Sequence, residues 1–431
     1  MVNARNILLC IVLMLGVQIA SGGTTGKISG RVLDKNKEPL VSVNVLLSGT
    51  KLGAATDLDG YYSIINVPPG SYEVQFRLAG FRNLSVKDVL VTTDNTTKID
   101  QTLEESTIAM SEVVVTAKKP VVDVNLTSTV ATITDKEIKL LPVQELQDIV
   151  NLQAGVVTDE GGDLHFRGGR GGEVQFQVNG VSVNNSYDNK SSVKIDRSLI
   201  QEVQVITGTF DAEYGQAMSG VVNTVLKSGS ENFDWNAEVL GGSFLYSSGG
   251  DRNLTYQFRP QYLNQNYQLN VSGPTGVSQT YFLLSGHRNV FYDYYYGERR
   301  FNPLDTNGIS ANSGRNWVLH PNGNGDIVPM SYSKEWSGLG RLTNRSIESI
   351  ELTYEVLFNV IDGRGLGDAF AYRLMPDGEK TQRTISLIHG IDLTHTLSSS
   401  TFYNISIRQN YFSYRDWVFD DFYDPRYDLA Q

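Results

Sequence analysis

The sequence predicts a mainly β fold in three consecutive parts: a small sandwich, a small mixed sheet and a set of long amphipathic strands. The composition agrees, since the chain has 22 Tyr, 17 Phe and 41 Gly but only 12 Pro in 431 residues. Short strand patterns, each ended by turn residues, fill the first half of the chain, which is typical of sandwiches and small sheets. Longer segments that alternate apolar and polar residues follow, which is typical of an antiparallel transmembrane barrel.

The first 22 residues predict a cleaved secretory signal peptide, and an uncleaved anchor is the alternative. Arg5 precedes an apolar run from Ile7 to Ile19, and small residues follow the run. A helix needs about 20 apolar residues to span a bilayer, so this run is too short. Cys10 is the only cysteine and lies within the run. The mature chain is therefore expected to contain neither disulfides nor cysteine metal sites.

Residues 26–105 predict a β-sandwich, because short strand patterns recur there at regular spacing. Turn residues separate them at Asp34–Pro39, Asp57–Gly60 and Pro68–Gly70. The Asp57–Gly60 run could also suggest calcium, but it lacks the further oxygen ligands of an EF-hand, which favours a simple turn. The predicted strands are Lys27–Leu33, Val43–Ser48, Tyr61–Val67, Tyr72–Leu78, Ser85–Val91 and Lys98–Leu103.

Residues 118–229 predict a small mixed sheet with two short helices, and hence an α+β domain. Phe176 and Val178 alternate with glutamines and precede Asn179-Gly180, which favours a tight hairpin turn. A capping-box spacing and an apolar pattern of helical period predict the helices. The residues of these two patterns are Thr134, Glu137, Leu146, Ile149 and Val150.

Residues 233–431 predict a partial antiparallel transmembrane β-barrel of about seven strands. From Ile350 to Val360 every second residue is apolar, and most residues between them are polar. Such a strand would place apolar side chains toward lipid and polar ones toward a lumen. The last strand is expected near Thr401–Tyr414. Because no apolar segment long enough for a helix follows the signal peptide, a barrel is the remaining way to span a membrane.

The connections between these strands are of two kinds. Gly273–Gln279, Asn344–Glu348 and Ser398–Ser400 are short turns. Val290–Glu335 and Ile361–Arg383 are long loops, and such alternation is typical of outer-membrane barrels. About seven strands cannot close around a domain as large as the one that precedes them, because lumen width grows with strand number. We therefore expect these residues to be the N-terminal part of a larger protein.

From Glu112 to Gly229 the sequence resembles the plug domain of TonB-dependent outer-membrane receptors. The ordered motifs that carry the resemblance are DLHFRGGRGG, the hairpin around NG, IDRSLIQEVQVITG, AEYG and SGVVNTVLKSG. The sequence departs from the family's pattern at two places. Asn179 stands where an aspartate often precedes the glycine, and Thr209-Phe210 stands where a small residue or proline is usual. The earlier run ISGRVLDKNKEPLVSVNVLLSG resembles the carboxypeptidase-regulatory-like sandwich, a transthyretin-type module.

The resemblance implies a receptor in the outer membrane of a Gram-negative bacterium, with its N-terminal domains in the periplasm. Receptors of this plan import scarce solutes such as siderophore-iron, cobalamin, oligosaccharides or peptides, with energy transmitted from the inner membrane. The implied partners are a TonB-type inner-membrane energising protein, outer-membrane lipid, a small solute of unknown class and a surface lipoprotein. A periplasmic or surface binding protein without transport is the alternative.

Residues 111–117 resemble the TonB box that receptors of this family offer to the energising protein. Consecutive β-branched residues favour an extended strand, which could add to a partner's sheet edge through main-chain hydrogen bonds. The alternative is that Val113–Val115 is the last strand of the sandwich or the first of the plug. The residues predicted to contact the TonB-type protein are Glu112, Val113, Val114, Val115, Thr116 and Ala117.

Arg167 and Arg170 lie among glycines, with Glu173 nearby. The resemblance implies that such arginines face carboxylates of the barrel wall and hold the plug in the lumen. A local role as solvated turn residues is the alternative. The run GRGG could also cradle an anion, but no helix start follows it directly, which disfavours a phosphate loop.

No catalytic motif is found, so the chain is predicted not to be an enzyme, and no cofactor is predicted. The motifs HExxH and GxSxG, Walker loops and cysteine pairs are absent, and the five histidines are scattered. The net charge of -11 disfavours nucleic acid as a partner. An acidic patch could hold a hard cation, but a solvated loop is the preferred interpretation. The patch contains Asp420, Asp421, Asp424 and Asp428.

Aromatic residues cluster beside the predicted external loops. Exposed Tyr and Trp side chains can stack on sugars or flat chelates, but barrels also carry aromatic girdles at both membrane interfaces. The girdle is the preferred interpretation. The residues are Phe291, Tyr292, Tyr294, Tyr295, Tyr296, Trp317, Trp336 and Trp417.

Overall fold

A computed structural model of the chain describes residues 24–105, 113–116, 129–159, 163–185, 189–208, 214, 217–243, 260–303, 307–309, 317–319, 321–347, 349–365, 367, 369–398, 401–424 and 427. The predicted signal peptide, with Cys10, lies outside these residues. The chain divides into two compact units. The first comprises residues 1–191, 195–227 and 396–402, and the second comprises residues 192–194, 228–395 and 403–431. No helix in the described ranges is both long and apolar enough to cross a membrane.

The first unit opens with a sandwich of two sheets. Its strands are β1 (Gly26–Leu33), β2 (Asn44–Leu47), β3 (Gly53–Ala55), β4 (Tyr61–Val67), β5 (Gly70–Arg77), β6 (Leu84–Val91), β7 (Thr96–Lys98), β8 (Gln101–Thr102) and β9 (Val113–Thr116). One sheet has the order β4-β1-β7, and β8 also pairs with β1. The other has the order β3-β2-β5-β6-β9. Side chains such as Ile28, Val45 and Phe76 from the two sheets form one buried core.

The sandwich strands follow the predicted pattern closely. Five predicted strands are present, with ends shifted by two residues at most. The sixth prediction, Lys98–Leu103, is wrong in extent, because β7 ends at Lys98 and only the short β8 continues it. Strand β3 was not predicted, since its sequence Gly-Ala-Ala shows no apolar alternation. The Asp57 turn is confirmed: Asp57 Oδ1 accepts hydrogen bonds from the backbone N–H groups of Asp59 and Tyr61, at 3.0 and 2.8 Å.

The same unit continues as a mixed sheet with short helices. Its elements are β10 (Thr129–Thr134), α1 (Asp135–Ile138), α2 (Leu146–Asn151), β11 (Val156–Thr158), β12 (Leu164–Phe166), β13 (Val174–Val178), β14 (Val181–Ser182), β15 (Ile200–Thr207) and β16 (Gly220–Leu226). The sheet order is β10-β15-β16-β13-β14, in which β13 and β16 run parallel, and β11 pairs with β12 apart from it. The predicted capping box begins α1, where the Thr134 N–H donates to Glu137 Oε2 at 2.9 Å. The predicted apolar face of α2 is buried.

The hairpin at Asn179-Gly180 is confirmed. Both residues have positive φ, 49° and 76°, as a tight turn between strands requires. Asn179 is also buried, and its Oδ1 accepts a hydrogen bond from the Leu226 N–H at 2.9 Å, which ties the turn to β16. All five residues of β13 are buried, including its two glutamines. Polar alternation in β13 therefore does not mark a solvent-exposed face.

The second unit is dominated by a sheet of seven long strands, the number that the sequence predicts. In spatial order these are β17 (Asp234–Gly242), β18 (Asn264–Pro274), β19 (Thr280–Tyr292), β24 (Tyr332–Asn344), β25 (Ile350–Arg364), β26 (Thr381–Ser398) and β27 (Thr401–Trp417). The pairs from β17 to β26 are antiparallel. The remaining elements are β20 (Tyr296–Glu298), β21 (Asn307–Ile309), β22 (Trp317–Leu319), β23 (Ile327–Pro329) and α3 (Ala369–Tyr372).

The two faces of this sheet have the inverted polarity that the sequence predicts. In β25, Glu355 and Asn359 are each 1% exposed, whereas Tyr354 and Phe358 are 45% and 43% exposed. Apolar side chains thus predominate on the exposed face, and polar and charged ones on the buried face, which also contains Leu339 and Leu357. A water-soluble sheet would place them the other way round.

The long loops are shorter than predicted. β19 and β24 continue past the predicted loop ends, and so do β25 and β26. Between them, β20 pairs with β23, and β21 pairs with β22. Arg299 joins the two loop regions, because its Nε lies 2.8 Å from Asp377 Oδ2. Main-chain hydrogen bonds and this ion pair therefore hold the described parts of the loops.

Candidate functional site

The segment that resembles a TonB box forms β9, at the edge of a sandwich sheet. It runs parallel to β6, with Leu84 opposite Val113 and Lys87 opposite Thr116. The side chains of Val114 and Val115 are 52% and 43% exposed. Of the residues predicted to contact a TonB-type protein, Val113, Val114, Val115 and Thr116 therefore lie in one strand, in which the last three are exposed. Glu112 and Ala117 fall outside the described residues.

This placement matches the structural alternative in the sequence analysis, in which the segment is the last strand of the sandwich. A strand has two edges, and successive residues direct their main-chain groups to opposite edges. β6 occupies one edge of β9, and no strand among the described residues pairs with the other. Such an edge can accept an added strand. The pairing with β6 thus leaves main-chain groups for one further partner.

Arg167 and Arg170 lie in an exposed turn after β12. Arg167 has a positive φ of 50°, and its N–H donates to the Gly155 carbonyl at 2.8 Å. The Arg170 N–H donates to Glu173 Oε2 at 3.0 Å. Neither guanidinium forms an ion pair within the described part of the chain. The local turn role therefore has direct structural support, and the proposed contact with barrel-wall carboxylates stays a prediction.

Glu202 and Gln204 are two buried residues of β15 that no sequence motif indicated. Glu202 Oε1 accepts a hydrogen bond from the Thr93 N–H at 3.0 Å, and Gln204 Nε2 donates to the Thr93 carbonyl at 2.8 Å. Together they satisfy both main-chain groups of Thr93, a residue that follows β6 in the sandwich. Burial is the largest cause that raises the pKa of Glu202, to about 7. The run QEVQV gave no local signal for this contact.

Charged residues on the buried face of the seven-stranded sheet form a second group that was not singled out. Glu355 lies between two arginines, 3.6 Å from Arg341 Nε and 3.5 Å from Arg408 Nη2. Arg408 Nη2 is also 2.8 Å from Asp392 Oδ2. Glu335 Oε1 accepts a hydrogen bond from Asn359 Nδ2 at 2.8 Å. The predicted lumen-facing positions could have suggested these residues, but not their pairing.

The histidines and aspartates that were considered for metal binding do not converge. His389 Nε2 lies 3.0 Å from Gln409 Oε1, and His395 Nδ1 lies 2.9 Å from the Tyr403 hydroxyl. Within the described ranges, no three His, Cys, Asp or Glu side chains are grouped to hold a metal ion. Asp428 of the acidic patch lies outside those ranges.

The aromatic residues near the loops form packed contacts. The rings of Tyr262 and Tyr292 have centroids 5.2 Å apart, and those of Tyr292 and Tyr332 are 6.5 Å apart. Tyr296 is only 1% exposed. This side chain is therefore not free to stack on a solute, and the side chain of Trp317 lies outside the described residues.

Comparisons with known proteins agree with this domain order. The CarboxypepD_reg-like domain family model matches residues 28–115, and so includes most of β9. The TonB-dependent Receptor Plug Domain model matches residues 123–222.

Two curated relatives illustrate the similarity. The TonB-dependent transporter Oar of Myxococcus xanthus is 25% identical over 258 residues, which is 53% of this chain and 24% of Oar. The vitamin B12 transporter BtuB of Vibrio vulnificus is 33% identical over 139 residues, 30% of this chain and 22% of BtuB. The chain thus spans about a quarter or less of the length of these relatives.

Among solved structures, the alcaligin outer-membrane receptor FauA of Bordetella pertussis superposes with a TM-score of 0.47 at 12% identity, over 68% of this chain and 40% of FauA. The two domain matches follow the same order as the sandwich and the mixed sheet described above. The chain thus contains a CarboxypepD_reg-like domain followed by a TonB-dependent receptor plug domain, and over about half of its length it is similar to a TonB-dependent transporter.

Proposed function

We propose that this chain is part of an outer-membrane transporter that imports a scarce small solute, energised by a TonB-type inner-membrane protein. The observation that carries the proposal is the exposed edge strand β9, which lies in sequence between the sandwich and the plug. An energising protein would add a strand of its own to this segment. Main-chain pairing suits the task, because several hydrogen bonds share a load applied along the strand.

The plug is the part that such a load would act on next. β9 is followed in the chain by β10, which pairs with β15 from Thr129 to Thr134. A force applied to β9 toward the N-terminal side would be transmitted along the chain to β10, the edge strand of the plug sheet. Edge strands leave a sheet more easily than central ones, because they have one neighbour instead of two. Release of β10 would open the plug without unfolding its centre.

The pairing of β9 with β6 supports a second candidate function. In it, β9 is a permanent part of the sandwich, and the sandwich and plug act as an interaction module without transport. The family model for the sandwich extends to Val115, which agrees with this candidate as well. The two candidates differ in whether an inner-membrane protein contacts β9.

Neither candidate function identifies the substrate. The names of the relatives refer to different solutes, vitamin B12 for BtuB and alcaligin for FauA. A small solute is therefore the class we propose. Arg167 and Arg170 are proposed, from the family resemblance, to hold the plug in the lumen.

A photo-reactive amino acid at Val114 tests the energising role in intact host cells. We expect an adduct between this chain and the TonB-type protein after illumination. The matched control carries the same amino acid at Leu58, which is 80% exposed on a sandwich turn away from β9. If Val114 yields no more adduct than Leu58 in the outer-membrane fraction, the energising role is wrong and the interaction module is favoured.

A further inference from the structure

The exposed face of the seven-stranded sheet changes from apolar to basic at the end where the strands meet the long loops. Its centre is apolar, as in Tyr354 and Phe358 of β25. Toward the loops, basic side chains appear on the same face. Lys334 lies opposite Asp362, and Asp362 lies opposite Arg383, so these residues form one row across three strands. The basic residues are Arg288, Lys334, Arg364, Arg383 and Arg415.

This basic rim is confined to one end of the face. Along the described parts of the seven long strands, no other lysine or arginine lies on the exposed face, and Asp362 is the only carboxylate there. The short-turn end of the same face presents apolar side chains, among them Trp235 and Leu342. The positive charge of the rim also contrasts with the net charge of -11 of the chain.

Aromatic rings position the cations of the rim. Arg288 Cζ lies 5.1 Å from the centre of the Trp336 ring, and Lys334 Nζ lies 5.4 Å from that of Tyr332. Arg415 Cζ lies 4.7 Å from the centre of the Trp417 ring, with Arg383 at 6.0 Å from the same ring. Such contacts stabilise a cation beside the ring without supplying a negative charge. Arg383 is also ion-paired, with its Nε 2.5 Å from Asp362 Oδ1, and Arg415 Nη2 donates to the Asp420 carbonyl. Among the described residues no carboxylate pairs with Arg288 or Lys334, so the rim keeps an excess of positive charge.

We propose that this basic–aromatic rim binds the phosphate groups of anionic lipids in the leaflet next to the long loops. A guanidinium donates paired hydrogen bonds to phosphate oxygens, and an ammonium attracts them as a point charge. Aromatic rings prefer the same level of the bilayer, between headgroups and hydrocarbon. The inference rests on the proposed insertion of the sheet in lipid, and not on transport or on the role of β9.

A simpler origin for the rim is that long basic side chains reach from the hydrocarbon edge to water. That role requires no particular headgroup. The two explanations therefore differ in one measurable quantity, the preference for anionic over zwitterionic lipid.

The test compares lipid retention by the full chain with that of a variant lacking four cations, R288Q/K334Q/R383Q/R415Q. Arg364 is kept, because its Nη1 donates to the Pro376 carbonyl at 2.8 Å and thereby holds a loop. Protein in detergent micelles is mixed with either lipid A, which carries phosphate groups, or zwitterionic phosphatidylcholine, and retained lipids are counted by native mass spectrometry. Since each basic residue near a charged surface contributes about 1 kcal/mol, we expect lipid A retention to fall at least about tenfold.

The matched control removes four exposed lysines of the sandwich, K27Q/K37Q/K51Q/K98Q, and should retain lipid A as the unmodified chain does. Phosphatidylcholine retention should be equal for all three proteins. Equal lipid A retention by the rim variant and the unmodified chain would overturn the inference. Parallel loss of both lipids would also overturn it. Failure of the unmodified chain to bind either lipid would instead contradict the proposed insertion of the sheet.

Discussion

Glu202 shows how much one buried carboxyl can influence the first unit. It is 1% exposed and accepts a hydrogen bond from the Thr93 N–H, so it links β15 to the sandwich. Burial raises its pKa from 4.5 to about 7, and nearby Asp94 acts in the same direction. The Thr93 hydrogen bond opposes this rise, because it favours the ionised carboxylate. Since burial prevails, the packed arrangement around Glu202 is most stable when Glu202 is protonated, below about pH 4.5, and it loses this stability as the pH rises through 7.

We expect Glu202→Gln to remove this pH dependence. Glutamine keeps an oxygen for the Thr93 N–H but cannot ionise, so the variant should hold the contact more firmly than the unmodified chain above pH 7. Hydrogen exchange at residues 92–94 of the full chain, corrected for intrinsic rates, measures the difference. Glu38→Gln, at an exposed site in the sandwich, is the control. Protection that falls with pH equally in Glu202→Gln and in the unmodified chain would contradict the assignment.

Strand β9 has two edges, each with its own role, in only four residues. It pairs with β6 and offers its other edge to a partner. Neighbouring residues send their N–H groups to opposite edges, so prolines at Val114 and Val115 remove donors from different edges. One lost main-chain hydrogen bond costs about 1 kcal/mol, which is enough to affect a four-residue strand.

We therefore expect Val114→Pro and Val115→Pro to differ in effect. The proline that removes an N–H group facing β6 should raise hydrogen exchange in Leu84–Lys87 of β6, because it breaks the existing pairing. The proline that removes an N–H group from the opposite edge should leave β6 protected. With the photo-reactive probe placed at Thr116, the same substitution should reduce photo-adducts between β9 and the TonB-type protein. Each variant serves as the control for the other. If both lose β6 protection to the same degree and neither changes the adducts, β9 has no second partner.

For the molecule as a whole, the inverted polarity of the seven-stranded sheet is the feature that supports its insertion in lipid. A cation at the bilayer midplane on the lipid face of a barrel costs about 2–4 kcal/mol. Phe358 lies near the middle of β25 and is 43% exposed. We expect Phe358→Arg to lower the amount of protein recovered in the outer-membrane fraction of host cells.

Leu58→Arg is the matched control, because it adds the same charge to an 80% exposed position on the sandwich. It should be recovered in the outer membrane as the unmodified chain is. Equal recovery of Phe358→Arg would show that the exposed face of β25 does not lie in hydrocarbon.

The sequence alone determined most of the strands, the hairpin at Asn179-Gly180, the capping box of α1 and the inverted alternation of the long strands. These features depend on residues close together in the chain, where side-chain period, turn geometry and caps are set by local sterics and hydrogen bonding. The resemblance of residues 112–229 to the plug domain also followed from the sequence, because several ordered motifs occur there at consistent spacing.

Only the tertiary structure decided which distant partners these elements take. The local pattern of Val113–Thr116 predicts an extended strand, but its pairing with β6 depends on an edge 29 residues earlier in the chain, at Leu84. Glu202 and Thr93, 109 residues apart, meet for the same reason. The basic rim likewise exists only because strand register brings single cations from separate strands into one row. Such contacts arise from the packing of whole elements, which no short window of sequence specifies.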